Sequence, residues 1–311
     1  MRYENVSLNP SDSSRYALYA ARFSVASVSV LIFLKMYAYA MSGSASLLGT
    51  LVDSAADAVI SVMLLMAIRF SAKPADEDHR YGHGKIEGVA ALFQAAFLGG
   101  GAVFLAFESL QRFVHPVPVT HHMLAIGVSA LALALSLAVV LVQQWVLRRT
   151  ASLALSADQS HYKSDILLNG GVIGAVLVNW YGGPLWVDTV FGLVIAGYIA
   201  RTAYQVGREA TDMLMDRELP DEIRYRIIAI AEAHTGVLGL HDLRTRRMGN
   251  DVHISFDIEV NPDLPLRDAH EISRDLEGDI LREIPNADII IHIDPQGDIY
   301  DARHRVQGIH H

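Results

Sequence analysis

Along most of the first 208 residues, apolar positions run in long uninterrupted blocks. The stretches 88–107, 122–144 and 166–187 contain no Asp, Glu, Lys or Arg, and 41–69 carries only Asp53 and Asp57 ahead of its closing Arg69. A helix needs roughly 20 apolar residues to cross a bilayer core, so each of these blocks predicts a membrane span. Two less clean blocks, 16–40 with Arg22 and Lys35 and 184–205 with Asp188 and Arg201, bring the expected number to six. Past Arg208 the pattern changes. Pro220 opens a helical stretch with Asp221 and Glu222 in its first turn and Ile227, Ile228, Ile230 and Ala231 behind them. Residues 237–243 and 252–260 read as strands. In the second, Val252, Ile254, Phe256 and Ile258 alternate with His253, Ser255, Asp257 and Glu259. A helix over 266–282 and a short strand over 287–293 complete a small α+β domain.

The linkers between spans differ in charge. Residues 42–46, 115–121 and 180–184 contain no Lys or Arg, whereas the alternate linkers carry Arg69, Lys73, Arg80 and Lys85 in one and Arg148 and Arg149 in the other. The positive-inside rule places these basic linkers and both termini in the cytosol, as an even number of spans requires. The polar start of the chain lacks a small-residue cleavage site, so the first span is expected to be an uncleaved anchor.

Composition sharpens the division. The chain is 51% hydrophobic and 19% charged, with a formal net charge of −9. Residues 209–311 hold 22 acidic and 11 basic residues, a net −11, which leaves +2 for residues 1–208. There is no cysteine, so metal chemistry must run on His and carboxylate. No Lys/Arg-rich tract offers a footprint for nucleic acid.

Charges inside apolar spans are costly, about 2.5 to 3.5 kcal/mol for an aspartate at the bilayer centre. Asp53 and Asp57, four apart, project from one face of a helix, and the fifth span repeats the spacing with His161 and Asp165. Facing each other, the two helices would bring three carboxylates and one imidazole to one point, a tetrahedral set suited to Zn²⁺, Fe²⁺ or Mn²⁺. The competing reading pairs the aspartates with Lys35 or cavity water and leaves His161 and Asp165 at a cytosolic helix start. In the basic linker Asp76, His79 and His83 form either a second metal site or a solvated, turn-rich loop. In the terminal domain His241, Asp257, His270, His292 and Asp294 sit on different elements, as metal ligands or as ordinary surface residues.

Taken together, six spans, Asp53-x-x-x-Asp57, the loop PADEDHRYGHGK, the HYKSD segment from His161 to Asp165, and the tail segments GLHDLRTRR and IIIHIDP resemble the cation diffusion facilitator family, closest to its bacterial zinc and ferrous-iron efflux pumps. The resemblance runs collinearly over nearly the whole chain. It implies a six-helix transmembrane transport domain over 1–208 and, over 209–311, a cytosolic metal-binding and dimerisation domain of ferredoxin-like, metallochaperone-like α+β fold. It further implies a homodimer in the bacterial cytoplasmic (inner) membrane that exports Zn²⁺ or a similar divalent cation in exchange for protons, without a prosthetic group. By the same resemblance Asp53, Asp57, His161 and Asp165 form the transport site, and Asp76, His79 and His83 a loop site. His241, His270, His292 and Asp294 help bind metal in the cytosolic domain, and Lys85 and Asp216 form a charge pair between protomers. Asp257 stands where close relatives have a histidine, which shifts that site toward harder ions.

The charges suggest a coupling. With three carboxylates and a divalent ion the site carries −1, and emptied without protons it would carry −3, so proton uptake should accompany release. The acidic tail would repel a second copy of itself until metal relieves the repulsion. A membrane metallohydrolase lacks a base-bearing motif here, and a pure metal sensor leaves the paired intramembrane carboxylates unexplained. A metal-gated channel is the remaining alternative, set apart by indifference to a pH gradient.

Overall fold

The computed structural model describes residues 10–42, 45–114, 122–181, 183–184 and 186–297. The chain folds as two compact units, Met1–Thr211 and Asp212–His311. Residues 115–121 and 43–44 lie outside the described residues, as does the side chain of Asp53.

The first unit consists of α1 (Pro10–Ser42), α2 (Ala45–Ser71), α3 (Ile86–Val114), α4 (His122–Leu147), α5 (Leu153–Trp180) and α6 (Trp186–Leu214). Among the described residues, Ser14–Met41, Ser54–Ser71, Ile86–Val114 and Ile126–Leu147 are long and apolar enough to cross a membrane. The expected span at 166–187 is corrected: it straddles the break between α5 and α6, and α5 begins at Leu153. An uncharged window does not register a chain reversal. It also misses the N-terminal half of α5, whose Asp158, His161, Lys163 and Asp165 dilute the helix's apolarity.

Small residues let these helices approach. Ala17, Ala20 and Ala21 of α1 pack with Ile60, Leu64 and Ile68 of α2, Val146 of α4, and Ala154 and Leu155 of α5 in one buried cluster. Leu98 and Ala102 of α3 meet Ile199 and Ala203 of α6. Higher on the same pair, Gly192 lies so close to the Ser109 hydroxyl that a Cβ there would collide with it. Such contacts follow from the solvent: lipid offers no hydrophobic drive between helices, so close van der Waals approach must hold them. The opposite faces remain apolar and exposed, with Phe33 at 66%, Phe104 at 69% and Leu141 at 61% exposure, as a lipid-facing surface requires.

At the end of the unit that carries the basic linkers, one carboxylate ties three helices. Glu87, 3% exposed, accepts hydrogen bonds from Ser71 Oγ (3.0 Å), Ser152 Oγ (2.7 Å) and the Ala154 amide (3.3 Å). Ser152 in turn accepts from the Leu155 amide at 3.3 Å, so it caps α5 while Glu87 supplies negative charge to the helix's N-terminal amides.

The second unit contains α7 (Asp221–Ala233), β1 (Gly239–Met248), β2 (Asp251–Val260), α8 (Leu266–Glu283) and β3 (Ala287–Pro295). The sheet order is β1-β2-β3, with β1 and β2 antiparallel and β2 and β3 parallel across the α8 crossover. The expected alternation in β2 holds: Val252, Ile254, Phe256, Ile258 and Val260 are buried with Ile227 and Ile228 of α7 and Leu276 and Ile280 of α8. This is an α+β unit of ferredoxin-like type. The strand expected over 237–243 runs instead from Gly239 to Met248, with a bulge between His241 and Arg244 that breaks its alternation. Asp242 there has φ 51°. The extra residue changes the side-chain parity of β1, so Leu240 and Leu243 both pack against the core while His241, paired with Asp257, points to the opposite face.

Candidate metal centres

Three side chains from α2 and α5 converge inside the helical unit. His161 Nε2 lies 3.3 Å from Asp57 Oδ1 and 3.5 Å from Asp165 Oδ2. A metal with ligands at about 2.0 to 2.2 Å in a tetrahedron has ligand-to-ligand edges of about 3.3 to 3.6 Å, so these separations match without rearrangement. His161 is 5% exposed and neither ring nitrogen has a hydrogen-bond partner. A buried nitrogen of that kind is costly unless something else satisfies it, and a cation held between Nε2 and the two carboxylates would do so for Nε2. Asp57 on α2 and His161 and Asp165 on α5 thus stand on helices that meet at this point. The competing placement of His161 and Asp165 at a helix start does not hold, because they lie in the third and fourth turns of α5. Asp53 lies one turn before Asp57 on α2.

The sequence reading missed what surrounds this cluster. Asp158 is 2% exposed, and together with His161 and Asp165 it forms a stripe spaced three and four along α5. Gln143 of α4 donates from Nε2 to Asp158 Oδ2 (2.7 Å) and to Ser24 Oγ of α1 (3.0 Å). Tyr162 Oη lies 3.3 Å from Ser61 Oγ of α2. The available signal was the stripe itself, extended by one turn. Gln143 was hidden because it sits in a block remarkable in the sequence only for lacking charge.

The loop between α2 and α3 gathers Asp76, His79 and His83. Asp76 Oδ1 accepts the amides of Asp78 (3.1 Å) and His79 (2.7 Å) and lies 3.2 Å from His79 Nδ1, while Oδ2 lies 3.2 Å from His83 Nε2. The amide of His79 is the main cause holding Asp76 below the ordinary carboxylate range, so it stays ionised. His83 is 6% exposed and packs edge-on against Phe70 at 4.8 Å. Gly82, at φ 82°, makes the turn that brings His83 back to Asp76. The loop is therefore ordered around its acidic residue rather than freely solvated.

On the open face of the tail sheet, His241 Nδ1 lies 3.6 Å from Asp257 Oδ2 and its Nε2 lies 3.4 Å from Asp294 Oδ2. The shortest contacts of the two carboxylates go to different ring nitrogens, yet one donor atom from each of His241, Asp257 and Asp294 lies within 4.8 Å of the others. His292 is the register partner of Asp257 and reaches Asp294 Oδ1 at 3.1 Å. His270 is exposed on α8, which packs over the other face of the sheet, so within one chain the structure does not bring it to this group. His253, on the same face as Asp257, pairs instead with Asp288 at 3.0 Å. Burial raises the Asp257 carboxyl above its ordinary range, with His241 and His292 pulling the other way. Asp216 lies 3.4 Å from Arg246 of β1, and Lys85 sits in the loop before α3.

Residues 21–215 match the model of the cation efflux transmembrane domain, and residues 219–296 that of the cation efflux protein cytoplasmic domain. The chain is 40% identical over 291 residues to the cation-efflux pump FieF of Yersinia pestis (strain Pestoides F), covering 94% of this chain and 97% of the relative. The same figures hold for FieF of Yersinia pseudotuberculosis serotype I (strain IP32953). Among solved structures, the metal-bound C-terminal domain of the CzcD transporter from Thermotoga maritima is 30% identical, with 25% of this chain and 93% of that chain covered and a TM-score of 0.25. A variant of the MamM C-terminal domain is 26% identical, with 24% and 96% covered and a TM-score of 0.24. The two successive domain matches, and the identity sustained over nearly the full length of the pumps, establish that the chain is a multi-pass membrane protein belonging to the cation diffusion facilitator family of cation-efflux transporters.

Proposed function

We propose that the protein exports divalent transition-metal ions, Zn²⁺ first and Fe²⁺ or Cd²⁺ with it, from the cytoplasm by exchange for protons. The observation that carries this reading is the buried His161, with both nitrogens unbonded, between Asp57 and Asp165 at tetrahedral-edge distances. Asp53 completes the set as the fourth ligand. The donors are one imidazole and carboxylates with no thiolate, which favours exchangeable binding of borderline and hard ions. A site of this composition releases its cargo when protons replace it, because every ligand must be deprotonated to bind.

The transport domain covers residues 1–208 and the metal-binding and dimerisation domain 209–311. The protein works as a homodimer in the bacterial inner membrane, with both termini in the cytosol. Asp76, His79 and His83 form a loop site facing the cytosol. His241, Asp257, His292 and Asp294, with His270, bind metal that regulates association of the tails, and Lys85 and Asp216 pair between protomers. A same-family transporter with Mn²⁺ or Fe²⁺ as main cargo is the second reading, favoured by the carboxylate Asp257 in the tail cluster.

Metal flux in proteoliposomes loaded with a pH dye tests the proposal. The wild type should carry Zn²⁺ only with opposed proton movement and stall when the gradient collapses. Asp57→Ala or His161→Ala should abolish flux while the protein stays dimeric. Flux indifferent to the gradient identifies a channel instead, and normal flux from either variant removes these residues from the site.

A further inference from the structure

Lys35 is the intramembrane cation that the sequence offered only as a rival partner for the aspartates. It lies on α1, partly buried, and its Nζ donates to Ser54 Oγ at 2.7 Å. Ser54 is 2% exposed and stands on α2 immediately after Asp53 and one turn before Asp57. The ammonium is thus held against the helix that supplies Asp53 and Asp57. The other cations nearby are directed elsewhere. Arg22 of α1 is exposed, and Lys163 of α5 donates to Gln159 Oε1 at 2.7 Å, a turn back along its own helix.

A lysine beside a cation site looks counterproductive, since it repels the cargo. The charge count explains it. Asp53, Asp57 and Asp165 contribute −3 and neutral His161 nothing, so the ligands alone would hold a divalent ion at a net −1. Lys35 offsets one of these charges, while the buried Asp158, one turn before His161 on α5, adds one more, so the ammonium lowers the site's net negative charge without cancelling it. In a low-dielectric interior each uncompensated charge is costly, and a fixed counter-charge reduces that cost. The hydrogen bond to Ser54 fixes the ammonium where it contributes charge without occupying the metal position.

We propose that Lys35 is a fixed counter-charge of the transport site, held against the helix of Asp53 and Asp57 so that it offsets part of the ligands' negative charge, and that it thereby sets the site's preference among ion valences. This rests on the reading of Asp53, Asp57, His161 and Asp165 as the transport ligands. Lys35 is a positioning and specificity-determining residue, not a ligand.

The test compares Lys35→Met, which removes the charge at similar length, with Lys35→Arg, which keeps it, in the full-length protein reconstituted in liposomes. Two quantities are read: the Zn²⁺ concentration giving half-maximal flux, and the concentration of La³⁺ that halves Zn²⁺ flux. Repulsion between Lys35 and a bound ion scales with the ion's charge. Its removal should strengthen La³⁺ binding by the three-halves power of the gain for Zn²⁺: about tenfold for Zn²⁺ implies about thirtyfold for La³⁺. Lys35→Arg should leave both values within about twofold of wild type. Lys35→Gln, which can still bond Ser54, replaces the methionine variant if that one does not assemble. Equal shifts for both ions, no shift in either, no La³⁺ inhibition of either protein, or an arginine variant behaving like the methionine one overturns the proposal. Asp57→Ala separates this from failure of the underlying site: if it abolishes flux while Lys35→Met leaves the valence response unchanged, the ligands stand and the counter-charge falls. If Asp57→Ala transports normally, the site reading itself is wrong.

Discussion

Glu87 offers the sharpest energetic test, because its surroundings limit how the structure can compensate. Glu87→Ala removes the acceptor for Ser152 Oγ at 2.7 Å, for Ser71 Oγ at 3.0 Å and for the Ala154 amide at 3.3 Å. Hydrogen bonds to a charged group contribute about 1.5 to 3 kcal/mol each, and a buried donor left unpaired costs about 1 to 3 kcal/mol. Ser152 is 0% exposed, so water cannot replace its lost partner, whereas Ser71 is partly exposed and can recover. Against this, the alanine variant escapes the desolvation of a carboxylate. The net expectation is a loss of about 2 to 4 kcal/mol, localised at the first turn of α5. Local opening is read by amide hydrogen exchange of the peptide spanning Ser152 to Ser156 in the reconstituted protein. A loss of 2 to 4 kcal/mol corresponds to exchange about 30 to 800 times faster. Ser152→Ala should cost about 1 to 2 kcal/mol as a lost cap. The double variant should cost less than the sum, since both changes remove one interaction. Exchange within threefold of wild type in Glu87→Ala would refute the reasoning, leaving the carboxylate as a bystander.

Other outcomes follow from packing and ionisation. Gly192→Val should force α6 off Ser109 and shorten the half-life of the monodisperse protein on heating, while Gly100→Ala, where a Cβ meets nothing within 4 Å, should not. Asp257 titrates above its usual range in the fold, so its contribution to stability is present below the unfolded value of 3.8 and is lost as pH rises through the raised value. Asp257→Asn should therefore raise the thermal midpoint of the metal-free protein at pH 7 and weaken Zn²⁺ binding at the tail, both measurable by differential scanning with and without metal. His253 is shifted the other way, chiefly by burial. Its stabilising contribution is complete above the unfolded value of 6.5 and is lost as pH falls through the lowered one, so His253→Gln should flatten the acid limb of a stability profile.

The sequence by itself determined that a helical part precedes an α+β part, and the alternation that makes β2 the centre of the tail core. It also put Asp53 with Asp57, and His161 with Asp165, each pair on one face of its helix, since a spacing of four does so wherever that helix packs, while the meeting of the two faces was left to the packing. These features depend on local periodicity or on the solvent, and both are written along the chain. What lay between elements was not legible. The reversal after Trp180 falls inside an uncharged block, so hydropathy placed the fifth span about a dozen residues late. The bulge at Asp242 resets which residues of β1 face His241's side, a choice made by β1 and the core together. His270 matches a ligand in pattern, yet α8 packs over the opposite face of the sheet from His241, and only the crossover topology decides that. The partners of Lys35, Asp158 and Glu87 come from helices 19, 15 and 65 residues away along the chain. A buried charge must find whatever donor or counter-charge the packed neighbours present. The identity of that partner is therefore decided only when the helices come together.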